Sequence, residues 1–416
     1  MVLQVIILAG GRGGNLYPLT THIPKMLLPI ANKPLIVYIL EMLSRSEIKF
    51  QNPIQILTQR DYKNKLDKFL ETRLHILDNI SYELHGVPED YSGTVGAIRY
   101  IMQVLPKGTN NDLLIISADL LLDFSILPKF IQHHRLNDCG CTLLTTKGKS
   151  HPDDMQIFAL NQNQVVRIFE AVNNEDGFAL PVRTFFKFPR MQLRNDLIQN
   201  YCYLIKSDLL AGLLTNPQLD RVFKIKEELI PFLVRKQLAL DTKVEVFIIP
   251  EGEFAIRVCD IKSYMEANLL CCRPLTGREK SGQASKPLPS ALLETGNNSK
   301  NALIDYFRPG AGPLPVTFKQ ISNDNILSEE FKIGEKCVIS KSVLGKNIKI
   351  GNKCKIVSSI IMDNVTIDDE VNISNSIICS QASVGSKCKV LNSQMALGSS
   401  LQANLILKEE IRLNLT

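Results

Sequence analysis

The fold assignment depends on the stretch LAGGRGGNLYPLTTHIPKMLLPIANKPL at residues 8–35. It follows an apolar run at residues 2–8 that is typical of a buried strand, and it leads directly into a glycine-rich loop. Glycines let the backbone approach a phosphate chain closely, and Lys25, directly after Pro24, adds a cation. The stretch therefore predicts a strand followed by a phosphate-binding loop in an α/β domain.

The residues around this loop alternate between β-rich runs and amphipathic helical stretches. This alternation indicates a Rossmann-like α/β domain with a mostly parallel sheet, in which ligands bind at the carboxyl ends of the strands. We assign residues 1–272 to it. Strands are predicted at residues 2–8, 54–58, 81–84, 113–117 and 142–146. Helices are predicted near residues 35–43, 62–72, 95–105 and 127–136.

A linker is predicted at residues 273–325. Pro, Gly, Ser and Asn cluster there, and the periodic spacing of apolar residues is lost. We therefore expect the linker to be partly flexible.

An internal repeat of 17 residues follows, in four copies without a gap. Each copy can bury its apolar positions only against its neighbours, so the repeat predicts a solenoid. The Ile-Gly and Val-Gly starts resemble the hexapeptide repeats of left-handed parallel β-helices. We assign residues 326–405 to such a C-terminal left-handed parallel β-helix, and residues 406–416 to a tail or cap. The copies are IGEKCVISKSVLGKNIK, IGNKCKIVSSIIMDNVT, IDDEVNISNSIICSQAS and VGSKCKVLNSQMALGSS, beginning at residues 333, 350, 367 and 384.

The composition of the chain limits the classes of protein to which it can belong. The chain has 416 residues, 45% hydrophobic and 22% charged, as expected for a globular protein of two domains. The net charge of +6 is not gathered into a basic run, which argues against direct DNA binding. No apolar stretch reaches the roughly 18 residues of a membrane span, and no leader precedes the first strand. We expect a cytoplasmic (cytosol) protein with no membrane contact.

Ten cysteines without a leader are typical of free thiols in a reducing compartment. Cys337, Cys354 and Cys388 share one column of the repeat. They could form a metal-binding ladder or pack as small apolar side chains. Val371 occupies the same column and favours the second interpretation, so we assign no metal site.

Residues 8–35 resemble the signature of nucleotide-sugar pyrophosphorylases, roughly L-A-G-G-x-G-[ST]-R-L-x-P-L-T-x-x-x-P-K. GTVGAI at residues 93–98 resembles the loop that holds the nucleotide base, and SAD at residues 117–119 resembles the magnesium-binding aspartate. FEA at residues 169–171 takes the place of F-E-K-P. The resemblance implies a nucleotidyltransferase domain with an inherited nucleotide pocket. Its residues are Gly10, Gly11, Gly13, Lys25, Gly93, Thr94 and Asp119.

Departures from the family pattern lie at the residues that would contact phosphate. The signature arginine falls on Asn15, the Ser/Thr before it on Gly14, and the lysine of F-E-K-P on Ala171. In such enzymes a sugar 1-phosphate displaces pyrophosphate from a nucleoside triphosphate, and cations stabilise the charge. Asn cannot replace the charged fork of Arg. The pocket is thus expected to be vestigial, without catalytic residues or a cofactor and with at most weak residual nucleotide binding.

Two further departures and one open alternative concern the same pocket. Ala118 stands where the family has Gly, and an N-x-G turn near the sugar reads Asn200, Tyr201, Cys202. Arg12 lies three residues before Asn15 and could reach the same phosphates from a different backbone position.

Three other segments resemble the gamma subunits of translation initiation factor 2B: EELIPFLVRKQ at residues 227–237, YCYLIKSDLL at 201–210 and SYMEAN at 263–268. The resemblance implies a non-catalytic subunit of a hetero-oligomeric guanine-nucleotide exchange factor. Its partners would be the epsilon subunit, the alpha, beta and delta subunits, and initiation factor 2. Epsilon subunits carry a further exchange domain, which we do not expect here because the sequence ends about a dozen residues after the last repeat.

Two alternatives stay open: an active GDP-mannose or glucose-1-phosphate pyrophosphorylase, and a free-standing regulator of one. Residues 401–415 turn apolar again after the last repeat and are expected to form a terminal strand or cap. A face of the β-helix is expected to contribute to pairing with the epsilon subunit.

Overall fold

The computed structural model describes residues 3–46, 48–73, 80–105, 112–148, 155–170, 182–272, 324–328 and 330–413. The predicted linker lies outside these residues except for its last two positions, and so does Ala171. The chain divides into two compact units. The first comprises residues 1–11 and 39–256, and the second comprises residues 12–38 and 257–416.

Helices and strands have the following bounds. The helices are α1 (Leu35–Arg45), α2 (Arg60–Arg73), α3 (Gly93–Val104), α4 (Ile126–Leu136), α5 (Val182–Lys187), α6 (Ser207–Leu214), α7 (Ile230–Lys236) and α8 (Ile261–Cys271). The strands before the predicted linker are β1 (Leu3–Leu8), β2 (Pro29–Ile30), β3 (Lys33–Pro34), β4 (Phe50–Gln59), β5 (Tyr82–Val87), β6 (Asp112–Ser117), β7 (Leu120–Leu122), β8 (Cys141–Lys147), β9 (Gln156–Asn161), β10 (Gln164–Glu170), β11 (Gln192–Arg194), β12 (Leu197–Lys206), β13 (Val244–Ile248) and β14 (Ala255–Arg257).

The strands after it are β15 (Ile326–Leu327), β16 (Phe331–Ile333), β17 (Val338–Ser340), β18 (Val343–Leu344), β19 (Ile348–Ile350), β20 (Lys355–Val357), β21 (Ile360–Ile361), β22 (Thr366–Ile367), β23 (Asn372–Ser374), β24 (Ile377–Ile378), β25 (Ser383–Val384), β26 (Lys389–Leu391), β27 (Gln394–Met395), β28 (Ser400–Leu401), β29 (Ile406–Lys408) and β30 (Ile411–Arg412).

The first unit is built on a sheet of ten described strands in the order β11-β9-β10-β13-β8-β12-β6-β1-β4-β5. Strand β1 pairs in parallel with β4 and β6, and β4 pairs in parallel with β5. Strand β12 runs antiparallel to both β6 and β8. Following the pairings across the sheet, β1, β4, β5, β6, β8, β9 and β13 point one way and β10, β11 and β12 the other. The mostly parallel sheet is thus confirmed, with antiparallel strands on one side.

Every strand and helix predicted in the first 150 residues is confirmed, with ends that shift by a few residues. All six residues of β1 are buried, which explains its continuous apolar sequence. The sequence did not predict that β12, far along the chain, inserts between β6 and β8. Local periodicity identifies a strand but does not specify its neighbour.

The second unit contains a three-sided parallel β-helix. Its described sheets have the orders β15-β18-β21-β24-β27-β30, β16-β19-β22-β25-β28 and β17-β20-β23-β26-β29. Paired residues occupy the same position in successive repeats, as for Ile339 with Ile356 and Ile356 with Ile373. The predicted solenoid is confirmed. Strands β29 and β30 continue two of these sheets beyond residue 405, so the β-helix extends into the segment assigned to a tail or cap.

Each coil turns at three corners, and each corner contains a residue with positive φ. In the coil that includes Lys353, these residues are Asn347, Lys353 and Ser358, with φ of 52°, 55° and 48°. This backbone conformation costs about 1–2 kcal/mol for a residue other than glycine. Hydrogen bonds between coils offset the cost; the Lys353 N–H, for example, donates to the Glu335 carbonyl at 2.8 Å.

Two columns of polar side chains are buried in the coils. Ser359 Oγ donates to the Val357 carbonyl at 2.7 Å and accepts from the Ser376 N–H at 3.3 Å, and Ser342, Ser376 and Ser393 repeat this pattern. The thiols of Cys337 and other members of its column are buried and donate to backbone carbonyls about 3 Å away. The cysteines therefore pack as small side chains, as the natural valine at the equivalent repeat position, Val371, indicated. All ten cysteines are free.

A hairpin formed by β2 and β3 anchors the end of the signature stretch in the second unit. Its turn residues Ala31 and Asn32 both have positive φ, of 49° and 64°. The Ala31 N–H donates to Asn268 Oδ1 in α8 at 2.9 Å, and Asn32 Nδ2 donates to the Leu344 carbonyl in β18 at 2.8 Å. Residues 12–38 and α8 thus group with the β-helix, whereas we assigned both to the preceding domain.

None of the described helices is long and apolar enough to cross a membrane.

The serine column provides a test of how the coils are held together. We expect Ser359→Ala to lower the free energy of unfolding by about 1–3 kcal/mol, because the buried Ser376 N–H loses its acceptor. Ser383→Ala, an exposed serine on β25, is the control and should change it by less than about 0.5 kcal/mol. Urea denaturation followed by circular dichroism measures both. Equal midpoints would show that the serine column does not stabilise the β-helix.

Candidate nucleotide site

The two loops predicted at the carboxyl edge of the sheet leave it side by side. Leu8 at the end of β1 pairs with Ser117 at the end of β6, and the Ala118 N–H donates to the Leu8 carbonyl at 2.9 Å. Gly10 and Asp119 each follow one of these two strands by two residues. Gly10 and Asp119 are therefore at the edge where ligands bind in such sheets, as predicted.

Gly13 and Lys25 are brought together within the second unit. Gly13 has φ +72°, and a Cβ at this position would lie 2.8 Å from Thr20 Cγ2 and 3.3 Å from Lys25 Cβ. Thr20 Oγ1 donates to the Gly13 carbonyl at 2.8 Å, which closes the loop on itself. Lys25 is only 8% exposed. Contacts among the loop's own residues thus contribute to holding this conformation.

Arg12, Gly14 and Asn15 lie on the exposed side of this loop. Gly14 begins a short 3-10 helix, and a Cβ there would meet nothing within 4 Å. The loop therefore has room for the Ser or Thr and the Arg of the signature, and the residues present are not forced by packing. Asn15 offers an amide where a phosphate-binding loop would use a cation.

Gly93 and Thr94 begin helix α3 and contact a neighbouring segment of their own unit. A Cβ on Gly93, which has φ +74°, would lie 2.3 Å from the Phe223 carbonyl oxygen. That same oxygen accepts from the Val95 N–H at 2.9 Å, and Thr94 Oγ1 accepts from the Ile225 N–H at 2.9 Å. The close approach of the Phe223 carbonyl therefore requires a glycine at position 93. The Val95 N–H already has this carbonyl as its hydrogen-bond acceptor.

Asp119 is 5% exposed and accepts a hydrogen bond from Ser117 Oγ at 2.6 Å. No group of three or more His, Cys, Asp or Glu side chains in the described part of the chain could hold a metal ion. Mg²⁺ is commonly held by one or two carboxylates together with substrate phosphates. Asp119 fits such an ion only where a nucleotide supplies the remaining oxygens.

Tyr201 is the middle residue of the turn in which the resemblance expects a glycine at the next position, where this chain has Cys202. It lies at an irregularity in β12 with φ +52°, one residue before Cys202, which pairs with Ile116 of β6. Its hydroxyl donates to Glu227 Oε1 at 3.1 Å, and Lys226 Nζ lies 5.7 Å from its ring centroid. The tyrosine side chain thus stands near the end of β6, held between an anion and a cation.

Lys226 was not singled out from the sequence. It is 2% exposed, an unusual state for a lysine, and it lies in one turn of π-helix at Ile225–Leu229. A lysine within an ordinary amphipathic pattern gives no local sign that it is buried. Its partner Tyr201 belongs to a different element, strand β12, so only the folded sheet shows the pair.

The predicted pocket residues fall into three groups. Gly10 and Asp119 follow the ends of neighbouring strands, Gly93 and Thr94 contact residues 223–225, and Gly13 and Lys25 belong to the second unit with Arg12. Gly11 is exposed. In the sequence it lies between Gly10 of the first group and Arg12 of the last group.

Residues 4–169 match the family described as "Nucleotidyl transferase". Residues 317–411 match the family described as "EIF2B subunit epsilon LbH domain", where LbH denotes a left-handed β-helix. The chain is thus similar to nucleotidyl transferases over residues 4–169 and to the LbH domain of the eIF2B epsilon subunit over residues 317–411. The predicted fold class is thereby shown for both domains. The match does not identify the gamma subunit, which the sequence segments had suggested.

Individual relatives come from two kinds of protein. Translation initiation factor eIF2B subunit epsilon of Dictyostelium discoideum is 25% identical over 63% of the chain and 37% of its own length. Mannose-1-phosphate guanylyltransferase catalytic subunit beta of Xenopus tropicalis is 24% identical over 47% of the chain and 54% of its own length. Mannose-1-phosphate guanylyltransferase regulatory subunit alpha of Dictyostelium discoideum is 28% identical over 35% of each. The chain thus spans about a third to about half of these relatives.

The two adjacent glycines of the loop allow a matched test. We expect Gly13→Ala to lower the free energy of unfolding by about 1–3 kcal/mol, because its φ is +72° and the new methyl group would contact Thr20. Gly14→Ala should have little effect or stabilise by a few tenths of a kcal/mol, since the space is open. Thermal unfolding and amide hydrogen exchange in residues 13–20 measure both. If the two variants behave alike, the loop is not closed as described.

Proposed function

We propose that the chain is a non-catalytic, gamma-type subunit of translation initiation factor 2B. In this role it is cytosolic and supports the epsilon subunit in binding initiation factor 2 and exchanging GDP for GTP. The alpha, beta and delta subunits complete the assembly. The residues that resemble a pyrophosphorylase pocket do not act as an active site in this role.

The observation that carries the proposal is the exposed Asn15 where the signature has Arg, next to Gly14 where it has Ser or Thr. Gly13 is in contact with Thr20 and close to Lys25, and these contacts hold the loop together. In phosphoryl-group chemistry the catalyst is mainly positive charge placed on the phosphates, and losing one arginine of this kind costs about 10³–10⁵ in rate. Cys202 adds a side chain at the turn position where the resemblance expects a glycine and close approach of the sugar.

The LbH match supports a place in initiation factor 2B, because the matched family is named for a subunit of that factor. The gamma assignment rests on the three segments at residues 201–210, 227–237 and 263–268. The epsilon relative matches the chain over 37% of its own length, so exchange activity is not carried over to this chain.

An active guanylyltransferase is the second candidate. The names of several relatives favour it, and Lys25 and Asp119 are retained. Arg12 is exposed on the loop and is the cation through which such an activity would have to operate.

The first test is catalytic. Enzymes typically turn over at about 1–10³ s⁻¹, and we expect this chain to release pyrophosphate at less than about 10⁻³ s⁻¹. The measurement uses Mg²⁺ with GTP and mannose 1-phosphate, and with ATP and glucose 1-phosphate. Asn15→Arg is the informative variant, because one charged contact should tighten GTP binding by about tenfold or more. Turnover near 1 s⁻¹ in the natural chain, abolished by Arg12→Ala, would establish the enzyme instead.

The second test is assembly. Co-expressed with the epsilon subunit of initiation factor 2B, the chain should co-purify as a stable complex and raise the rate of GDP release from initiation factor 2. The chain alone should not release GDP. A catalytic mannose-1-phosphate guanylyltransferase subunit, expressed in the same way, is the control partner. Pairing with that subunit and not with epsilon would make the chain a regulator of sugar-nucleotide synthesis.

A further inference from the structure

The three faces of the β-helix differ in what they present. On the sheet that contains β18, β21 and β24, Val343, Ile360 and Ile377 are 1–2% exposed although they are not part of the apolar interior of the coils. That face is therefore covered within the structure. On the sheet that contains β16 and β19, the exposed residues are polar or charged. They are Lys332, Lys349, Thr366, Ser383 and Ser400.

The third sheet, β17-β20-β23-β26-β29, combines exposed aliphatic side chains with lysines. Val338 is 53% exposed and Ile406 is 65% exposed, with Lys355 and Lys389 between them in the same column. The second outward column contains Val357, Leu391 and Lys408. We call this surface the lysine face. None of its strands contains an acidic residue.

The charges of the lysine face are available for an external partner. Lys355, Lys389 and Lys408 are exposed, and none of them forms an ion pair with a described residue. The corners beside the strands add four lysines and two glutamates, of which Glu370 accepts a hydrogen bond from Lys353 at 3.1 Å. The edge of the face contains three acidic residues that come one or two residues before the corner positions Lys336 and Glu370. They are Glu335, Asp368 and Asp369. The four corner lysines are Lys336, Lys341, Lys353 and Lys387.

We propose that the lysine face binds an extended acidic segment of a partner protein. Lys355 and Lys389 are two coils apart, a separation of about 10 Å at the usual strand spacing. In the polyproline II conformation, which has three residues per turn and a rise of about 3.1 Å, side chains three residues apart lie on one side of the chain and about 9 Å apart, so a carboxylate at every third position matches the two lysines. Val357 and Leu391 repeat at the same interval and suit aliphatic side chains between the carboxylates.

A nucleic acid fits the lysine face less well. Single-stranded nucleic acids bind through aromatic stacking and a basic groove. The outward columns of these strands contain no aromatic residue, and their aliphatic side chains would be left against a phosphate backbone. The proposal does not depend on the function proposed above.

The experiment measures binding of the full chain to a synthetic peptide of about 12 residues with the repeat Glu-Leu-Ser, in low salt. Lys355→Glu combined with Lys389→Glu should weaken binding by about tenfold or more, since two contacts become repulsive. Lys332→Glu combined with Lys349→Glu makes the same change of net charge on the neighbouring sheet and should weaken binding by less than about twofold. Thermal unfolding verifies that both variants fold.

Val357→Ser combined with Leu391→Ser tests the aliphatic part and should weaken binding without changing its salt dependence. Equal losses in the two lysine variants would overturn the proposal, because they would show attraction by net charge alone. Absence of peptide binding by the natural chain would overturn it too. So would tighter binding of an oligouridine RNA than of the peptide, with the same sensitivity to Lys355 and Lys389.

Discussion

The β-helix depends on one constraint, which is that strands pair with their counterparts in the preceding and following coils at a constant spacing. With coil length fixed, three corners must be made within each coil, and the chain makes them with residues in the left-handed region, such as Lys353. The same register stacks the apolar columns into one continuous interior. It also aligns the buried serines so that each hydroxyl meets the next coil. The constant spacing between paired strands thus determines the apolar interior, the positions of the corners and the columns of side chains on the surface.

In the signature loop, conformation and chemistry are separable. The turn at Gly13 is stabilised by contacts with Thr20 and Lys25, which belong to the same loop. The signature has its phosphate-binding arginine at position 15, which lies on the surface of that loop, so the Asn15 found there disturbs no packing. Loss of catalysis can thus occur in a fold that keeps its stability. A role in assembly requires surfaces that contact partner proteins and does not require positive charge beside a nucleotide's phosphates.

Much of the architecture follows from local pattern, because periodic burial leaves a direct trace in sequence. The apolar run of β1 and the repeat columns through Ile339 and Ile356 are such traces. The insertion of β12 into the sheet leaves none, since strand order depends on pairings between distant residues. Within the candidate site, Gly93 could be named from its motif. Its contact with Phe223 could not, because that contact joins segments that are far apart in the sequence.

The serine column gives the β-helix a direction. Each hydroxyl accepts from the coil that follows and donates within its own coil, beginning where Asn325 Oδ1 accepts from the Ser342 N–H and continuing to the Glu410 N–H. Adding one residue to a coil would break the serine pairing that spans the insertion and, with 17 residues kept per coil, would turn the later apolar side chains outward. Adding one complete coil would leave all partners in place. In evolution, such a domain can therefore change its length in whole coils far more readily than by single residues.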